Sequence, residues 1–165
     1  MQNSYINFQI TSVIDACQFK IKIEMCGRTC CTLSPDVIPQ ACTVVTGSKL
    51  PIWRDAPCGG TYEPSTNVPP TAYTPILFKD ERAGIDEFIV QPMMWGLVPP
   101  WHHGTVASSH RLTTNNARLE GLSESKLYKP AIEHDRRCVV VCDAFYEWKK
   151  LKDAGTGKVF LSMFL

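Results

Sequence analysis

Six of the twelve prolines in this 165-residue chain, Pro51, Pro57, Pro64, Pro69, Pro70 and Pro75, fall within 25 residues and flank Gly59-Gly60. Proline fixes φ and has no N–H to donate, so a helix cannot cross such a stretch. The segment is expected as a long ordered loop or as extended strand edges. Elsewhere "LSPDVIPQAC" predicts a short helix, with Ser34 as N-cap, Pro35 at the first helical position and Pro39 stopping or bending it. "EFIVQPMMWGLVP", residues 87–99, is rich in strand formers, with Pro92 expected at a bulge or boundary. "PPWHHGTVASSH" reads as a surface loop. Ser123 or Ser125 is expected to cap a helix through "KLYKPAIEH", disturbed by Pro130. "RRCVVVCDAFYEW" reads as a buried strand with an aromatic, acidic end, and "KVFLSMFL" as another strand. There is no internal repeat and no low-complexity run.

The length suits one domain, and a hydrophobic content of 44% can fill one core. A formal charge of +1 gives no global pull toward nucleic acid, so any polyanion site must be a local patch. No run of about 18 apolar residues exists, so no membrane-spanning helix is expected. Residues 1–24 lack the basic start and unbroken apolar segment of a secretory signal. The expectation is an intracellular protein, nuclear in a eukaryote, whose eight cysteines stay reduced. Cys26, Cys30 and Cys31 give C-x3-CC, and Cys138 with Cys142 gives C-x3-C; neither is a zinc spacing, and no metal or cofactor is expected. Strand alternation would put Cys138 and Cys142 on one face as core residues, and Cys17, Cys42 and Cys58 are read the same way.

Four clusters hold the residue types that reactive sites use: "MCGR" at 25–28, "MMWGLVPPW" at 93–101, "NNARLE" at 115–120 and "DAFYEW" at 143–148. Arg118 suits a phosphate, and a base could stack on the Trp101 indole. Each cluster alone is weak, since N-x-R-x-E is more often a solvated turn and W-G more often core. In this order, with "TNVPP" at 66–70 and "CVVVCDAFYEW" at 138–148, they resemble the SOS-response-associated peptidase (SRAP) family from Met25 to about Phe160.

The resemblance implies a protein that loses its initiator methionine and uses the exposed cysteine to capture abasic sites in single-stranded DNA as a covalent adduct. It implies Cys26 as nucleophile, Asn116 and Arg118 holding the cross-linked sugar and its phosphates, and Glu147 assisting proton transfer. Trp95, Trp101, Arg28 and Asn67 fall in the expected DNA-binding region. The expected partner is single-stranded DNA with abasic sites, met by a monomer that does not touch membranes, with replication-fork proteins as further partners. The family's H-x-R-M-P segment has no match here, so none of His102, His103, His110 and His134 is given its catalytic role; they are read as loop and surface residues.

The chemistry of Cys26 agrees. An abasic sugar opens to an aldehyde, and an amine attacks an aldehyde to give a Schiff base. A terminal cysteine carries an amine and a thiol on adjacent carbons, so the thiolate can close on the imine carbon as a five-membered thiazolidine. An α-amine with a pKa of about 7.7 to 8.0 is partly neutral at cellular pH, whereas a lysine near 10.4 is almost wholly charged. A carboxylate such as Glu147 could shuttle the proton. With translation starting at Met1, a peptide bond would block that amine. Residues 1–24 are therefore expected to be an extension outside the fold, with Cys26 freed by a start at Met25 or by a cut before Cys26, and residues 25–165 a partial domain, incomplete at its C-terminus. Two other readings stay open: a non-catalytic single-stranded DNA-binding module, and a thiol autopeptidase releasing residues 1–25. The expected fold is α+β, with a mixed or antiparallel sheet and two or three short peripheral helices; the resemblance adds that the sheet is curled and barrel-like.

Overall fold

In the computed structural model, the residues described are 27–56, 59–80, 87–104, 107–110, 112–117, 121–152 and 159–164, with the backbone alone from Glu147 onward. They form two four-stranded sheets with short helices beside them, an α+β arrangement in which neither strand order closes on itself. The first sheet has the order β3 (Ser65–Val68), β1 (Arg28–Cys31), β7 (Ala144–Lys152), β8 (Val159–Phe164), antiparallel throughout. The second has the order β2 (Ile52–Trp53), β5 (Phe88–Met94), β4 (Tyr73–Lys79), β6 (Val139–Val140), and is mixed because β2 runs parallel to β5.

Apolar side chains on both faces make the β4–β5 pair the centre of the core. Leu77 and Val90 join Cys31, Ile38, Cys42 and Tyr62 on one face, while Ile76, Phe78, Ile89 and Cys138 pack together on the other. A strand buried on both faces reads as a continuous apolar run. Pro92 lies inside β5 rather than at a boundary, directly opposite Pro75 of β4. Facing one missing N–H with another confines the lost ladder bonds to a single register position. The proline-rich stretch is otherwise loop and strand edge, as its composition predicts.

The helices start later than their sequence signals suggest. α1 (Ile38–Ala41) has Val37 as N-cap, while the Ser34 carbonyl closes the preceding turn by accepting the Val37 and Ile38 N–H groups at 3.0 and 3.2 Å. Pro39 sits in the first turn of α1, where no helical partner for its N–H is needed, so it does not end the helix. α2 (Thr43–Thr46) ends at Gly47, whose φ of 67° is the left-handed conformation that glycine adopts without strain. α3 (Lys129–Glu133) likewise carries Pro130 in its first turn, and its N-cap is Tyr128 rather than Ser123 or Ser125; Ser125 instead accepts the Tyr128 and Lys129 N–H groups on its carbonyl.

The run 138–148 is two strands, not one. After Val140 the chain leaves the second sheet, with the Val141 N–H donating to the Pro75 carbonyl at 3.0 Å, and joins the first, with the Asp143 N–H donating to the Cys30 carbonyl at 2.8 Å. This crossing breaks the alternation expected for the two cysteines, leaving Cys138 in the core and Cys142 exposed. Cys31 and Cys42 are buried as hydrophobes, and burial pushes the Cys42 thiol up to about 11. Cys17 and Cys58 lie outside the described residues. No helix among the described residues is long and apolar enough to cross a membrane.

Candidate nucleic-acid interface

The motif clusters converge on the start of β1. Gly27 immediately precedes this strand, and Arg28 pairs with Tyr146 of β7, so Glu147 follows on β7 at the end where β1 begins. Pairing residues separated by more than a hundred positions places the "CGR" and "YEW" segments side by side. Cys26 itself, bonded to Gly27, lies outside the described residues, as does Arg118; of Glu147 only the backbone is described.

The "WGLVPPW" segment supplies a plug and a tip. Trp95 (3% exposed), Leu97, Val98 and Pro99 are buried, and the chain surfaces at Trp101, which is 51% exposed. A base can stack on Trp101, while Trp95 shapes this region from within. Gly96 makes the turn between plug and core, with φ at 130° and the Thr114 hydroxyl 3.3 Å from where a Cβ would sit. Only glycine fits both conditions. The turn lets the Leu97 N–H donate to the Thr114 carbonyl at 3.3 Å, which ties this segment to "TNNA" at 114–117. Tyr128 secures the other flank, its hydroxyl donating to the Asn116 carbonyl at 2.6 Å. Burial raises the Tyr128 pKa, so that hydroxyl keeps its proton and stays a donor.

Between these two anchors lies Asn115, buried to 9% exposure. Its side-chain nitrogen is 3.9 Å from the point where a Cβ on Gly27 would be. Sequence reasoning singled out Asn116 and not Asn115, because adjacency to Gly27 depends on the fold bringing together residues nearly ninety positions apart. On the opposite side of β1, the Arg28 guanidinium donates to the Asn67 carboxamide oxygen on β3 at 3.1 Å, and the Tyr146 hydroxyl donates to the Thr66 carbonyl. Arg28 and Asn67 therefore form a polar rim next to the start of β1, with Asn67 exposed. Behind the rim Asp143 closes the far end of the strand, its carboxylate accepting the N–H and the hydroxyl of Thr32, each at 2.6 Å.

The described histidines stand apart from this cluster. His102 and His110 meet edge to face with ring centroids 5.7 Å apart, and the Leu112 N–H donates to His110 Nδ1 at 3.0 Å. Burial, then the neighbouring His102, lower the His110 pKa, so the ring stays a neutral acceptor that organises its own loop. His103 and His134 are exposed. Among the described residues no three His, Cys, Asp or Glu side chains gather as a metal site would require.

The arrangement offers a strand start flanked by carboxamides and an arginine, groups suited to a sugar–phosphate chain, and the segment tied to Thr114 carries an exposed indole on which a base could stack. The family model of SOS response associated peptidase (SRAP) matches residues 25–162. The chain is 39% identical over 133 residues to the abasic site processing protein HMCES of Xenopus tropicalis, covering 76% of this chain and 39% of that protein. It is 38% identical over 88 residues to the abasic site processing protein YMR114C of Saccharomyces cerevisiae, covering 53% of this chain and 22% of that protein. Against the abasic site processing protein YoqW of Bacillus subtilis the identity is 35% over 96 residues, covering 56% and 38%. The chain thus spans well under half the length of each of these relatives.

Proposed function

The chain belongs to the SOS response associated peptidase (SRAP) family, and from that premise we propose that it captures abasic sites in single-stranded DNA through Cys26 standing as its first residue. The observation that carries the reading is the pairing of Arg28, two residues after the nucleophile, with Tyr146 on the strand bearing Glu147. The Asn115 side chain, 3.9 Å from where a Cβ on Gly27 would sit, brings the carboxamide segment close to the same place. The relatives named as abasic site processing proteins support the substrate class.

The reaction proceeds in three steps. The neutral α-amine of Cys26 adds to the aldehyde carbon of the opened sugar, and a proton passes from the nitrogen to the aldehyde oxygen to give a carbinolamine. Glu147 donates the proton with which water leaves and its carboxylate takes back the N–H proton of the resulting iminium, leaving the imine. The Cys26 thiolate then adds to the imine carbon, and the nitrogen is protonated as the thiazolidine closes. Asn116 and Arg118 hold the sugar and its flanking phosphates, Arg118 through its planar fork of donors. Arg28 and Asn67 contact the backbone beyond, and Trp101 stacks a base. No metal or cofactor takes part.

In this account residues 1–24 precede the domain, which begins at Met25, and the amine is freed by removal of Met25 or by cleavage before Cys26. The protein acts as a monomer on DNA inside the cell, in the nucleus of a eukaryote, where replication-fork proteins would meet it. A protein beginning at Cys26, incubated with single-stranded DNA carrying one abasic site, gives a retarded band on a denaturing gel. The same protein preceded by residues 1–25 gives the band only once those residues are released. No band from the Cys26-first protein would overturn the proposal.

A further inference from the structure

The second sheet ends in an edge that the DNA reading does not use. β2 is its terminal strand, paired among the described strands with β5 alone. The Arg54 N–H donates to the Val90 carbonyl at 2.9 Å, so in this parallel ladder residues 52 and 54 face β5 while the Trp53 N–H and carbonyl face outward. Trp53 also lines an open groove of about 450 Å³, together with Pro35, Asp36 and Pro39 around the start of α1 and Leu50 and Pro51 leading into β2. We propose that this edge and groove dock an extended peptide segment of a partner protein, one that carries an apolar residue and a lysine or arginine two positions apart.

The groove is preformed. Its three prolines have a fixed φ, and Trp53 packs on the core cluster that holds Cys31, Ile38 and Val90, with its indole N–H donating to Asp55 at 3.2 Å. Binding therefore orders little of the protein. Leu50, 62% exposed, leaves apolar surface uncovered beside the indole. Charge selects the second side chain. Asp36 is the one charged residue of the lining, it is exposed, and a hydrogen bond from the Ser34 side chain lowers its pKa, so it stands as a carboxylate. Arg54 does not neutralise it, because alternation turns that side chain to the other face of β2, where it pairs with Asp80 at 2.8 Å. The outward backbone groups select a peptide over a small apolar molecule. An added strand accepts from the Trp53 N–H and donates to its carbonyl, and its side chains two positions apart both meet the face that bears the indole. No residue of the groove belongs to the candidate nucleic-acid interface.

The test uses the full chain and the blocked, fluorescein-labelled pentapeptide TLTKT, followed by fluorescence anisotropy, with TLTET and TTLKT as controls. TLTKT is expected to bind saturably and at least roughly threefold more tightly than TLTET, the effect of one exposed ion pair. TTLKT, which sends leucine and lysine to opposite faces, is expected to bind roughly tenfold more weakly than TLTKT. Asp36→Lys should reverse the order of TLTKT and TLTET, and Leu50→Ser should weaken both; the two positions are exposed, so the variants keep the fold. The Trp53 amide resonance should move as TLTKT binds. No saturable binding below about 1 mM, a peptide order unchanged by Asp36→Lys, or an unmoved Trp53 amide would each overturn the proposal. So would sedimentation showing a dimer of the unsubstituted chain that Leu50→Ser dissociates, which would assign the groove to a second copy.

Discussion

Asp143 binds Thr32 twice through a single carboxylate oxygen, which accepts the backbone N–H and the side-chain hydroxyl at 2.6 Å each. The bonds are exposed, but they fix the far end of the strand whose other end carries the candidate site. Asp143→Ala is predicted to cost about 1 to 2 kcal/mol, the net worth of hydrogen bonds to a charged acceptor at the surface. The check is urea unfolding, where the midpoint should fall with an unchanged slope. The Cys26-first form of this variant should also form adduct more slowly, because β1 is no longer held at both ends.

Trp95 and Trp101 belong to one motif and are predicted to fail differently. Trp101→Ala should leave stability nearly unchanged and weaken single-stranded DNA binding by about 1 to 3 kcal/mol, the worth of one stacked base. Trp95→Ala should cost about 3 to 5 kcal/mol of stability through a buried cavity. Fluorescence-detected binding and thermal unfolding of both variants separate the two effects. The difference follows from their exposure, 51% against 3%.

Arg28 and Asn67 act through phosphate if the polar rim of β1 faces the DNA. Arg28→Ala is predicted to weaken binding similarly across sequences and to reduce the slope of log affinity against log salt by roughly 0.7, the single-strand value for one phosphate contact. Asn67→Ala removes the acceptor that orients the guanidinium, so it should weaken binding less and leave the slope unchanged. Salt titrations of the two variants provide the comparison.

The thiols divide by exposure. At pH 8, alkylation of the native protein should modify Cys142 well before Cys31, Cys42 and Cys138, as peptide mapping would report. Cys42 also sets an alkaline limit. Its pKa is raised on folding, so the unfolded chain loses the proton first, and stability should fall as pH rises from 9.0 to about 11. Cys42→Ala should flatten that part of the stability–pH curve, measured by urea midpoints across this range.

The parts of this account that were legible in the sequence are those set by local chemistry. The strand within 87–99 and the loop at 100–104 follow from residue type, although Ala107–His110 winds into a short 3-10 helix, and the ordered motifs around Cys26, Trp95, Asn116 and Glu147 pointed to the family. What could not be read were the relationships between distant residues. Pro92 looked like a strand boundary because its partner Pro75 is set by strand register. Cys138 and Cys142 looked like one face because the chain's passage between sheets at Val141–Asp143 leaves no periodic signal. Pro39 and Pro130 looked disruptive, but four- and five-residue helices place them in a first turn. Asn115 reaches Gly27 through a loop anchored by Leu97 and Tyr128, and neither anchor is visible without the fold.

Mass mapping of the cross-linked product tests the central claim most directly. Protein beginning at Cys26 is reacted with abasic single-stranded DNA, treated with borohydride, digested with nuclease and protease, and the N-terminal peptide is weighed. The account predicts the sugar fragment on Cys26 with the loss of one water, with no free thiol at that residue and no hydrogen added by the reductant, since a closed thiazolidine has no imine left to reduce. A sugar fragment found on a lysine, or a reduced linkage that leaves the Cys26 thiol open to alkylation, would contradict it.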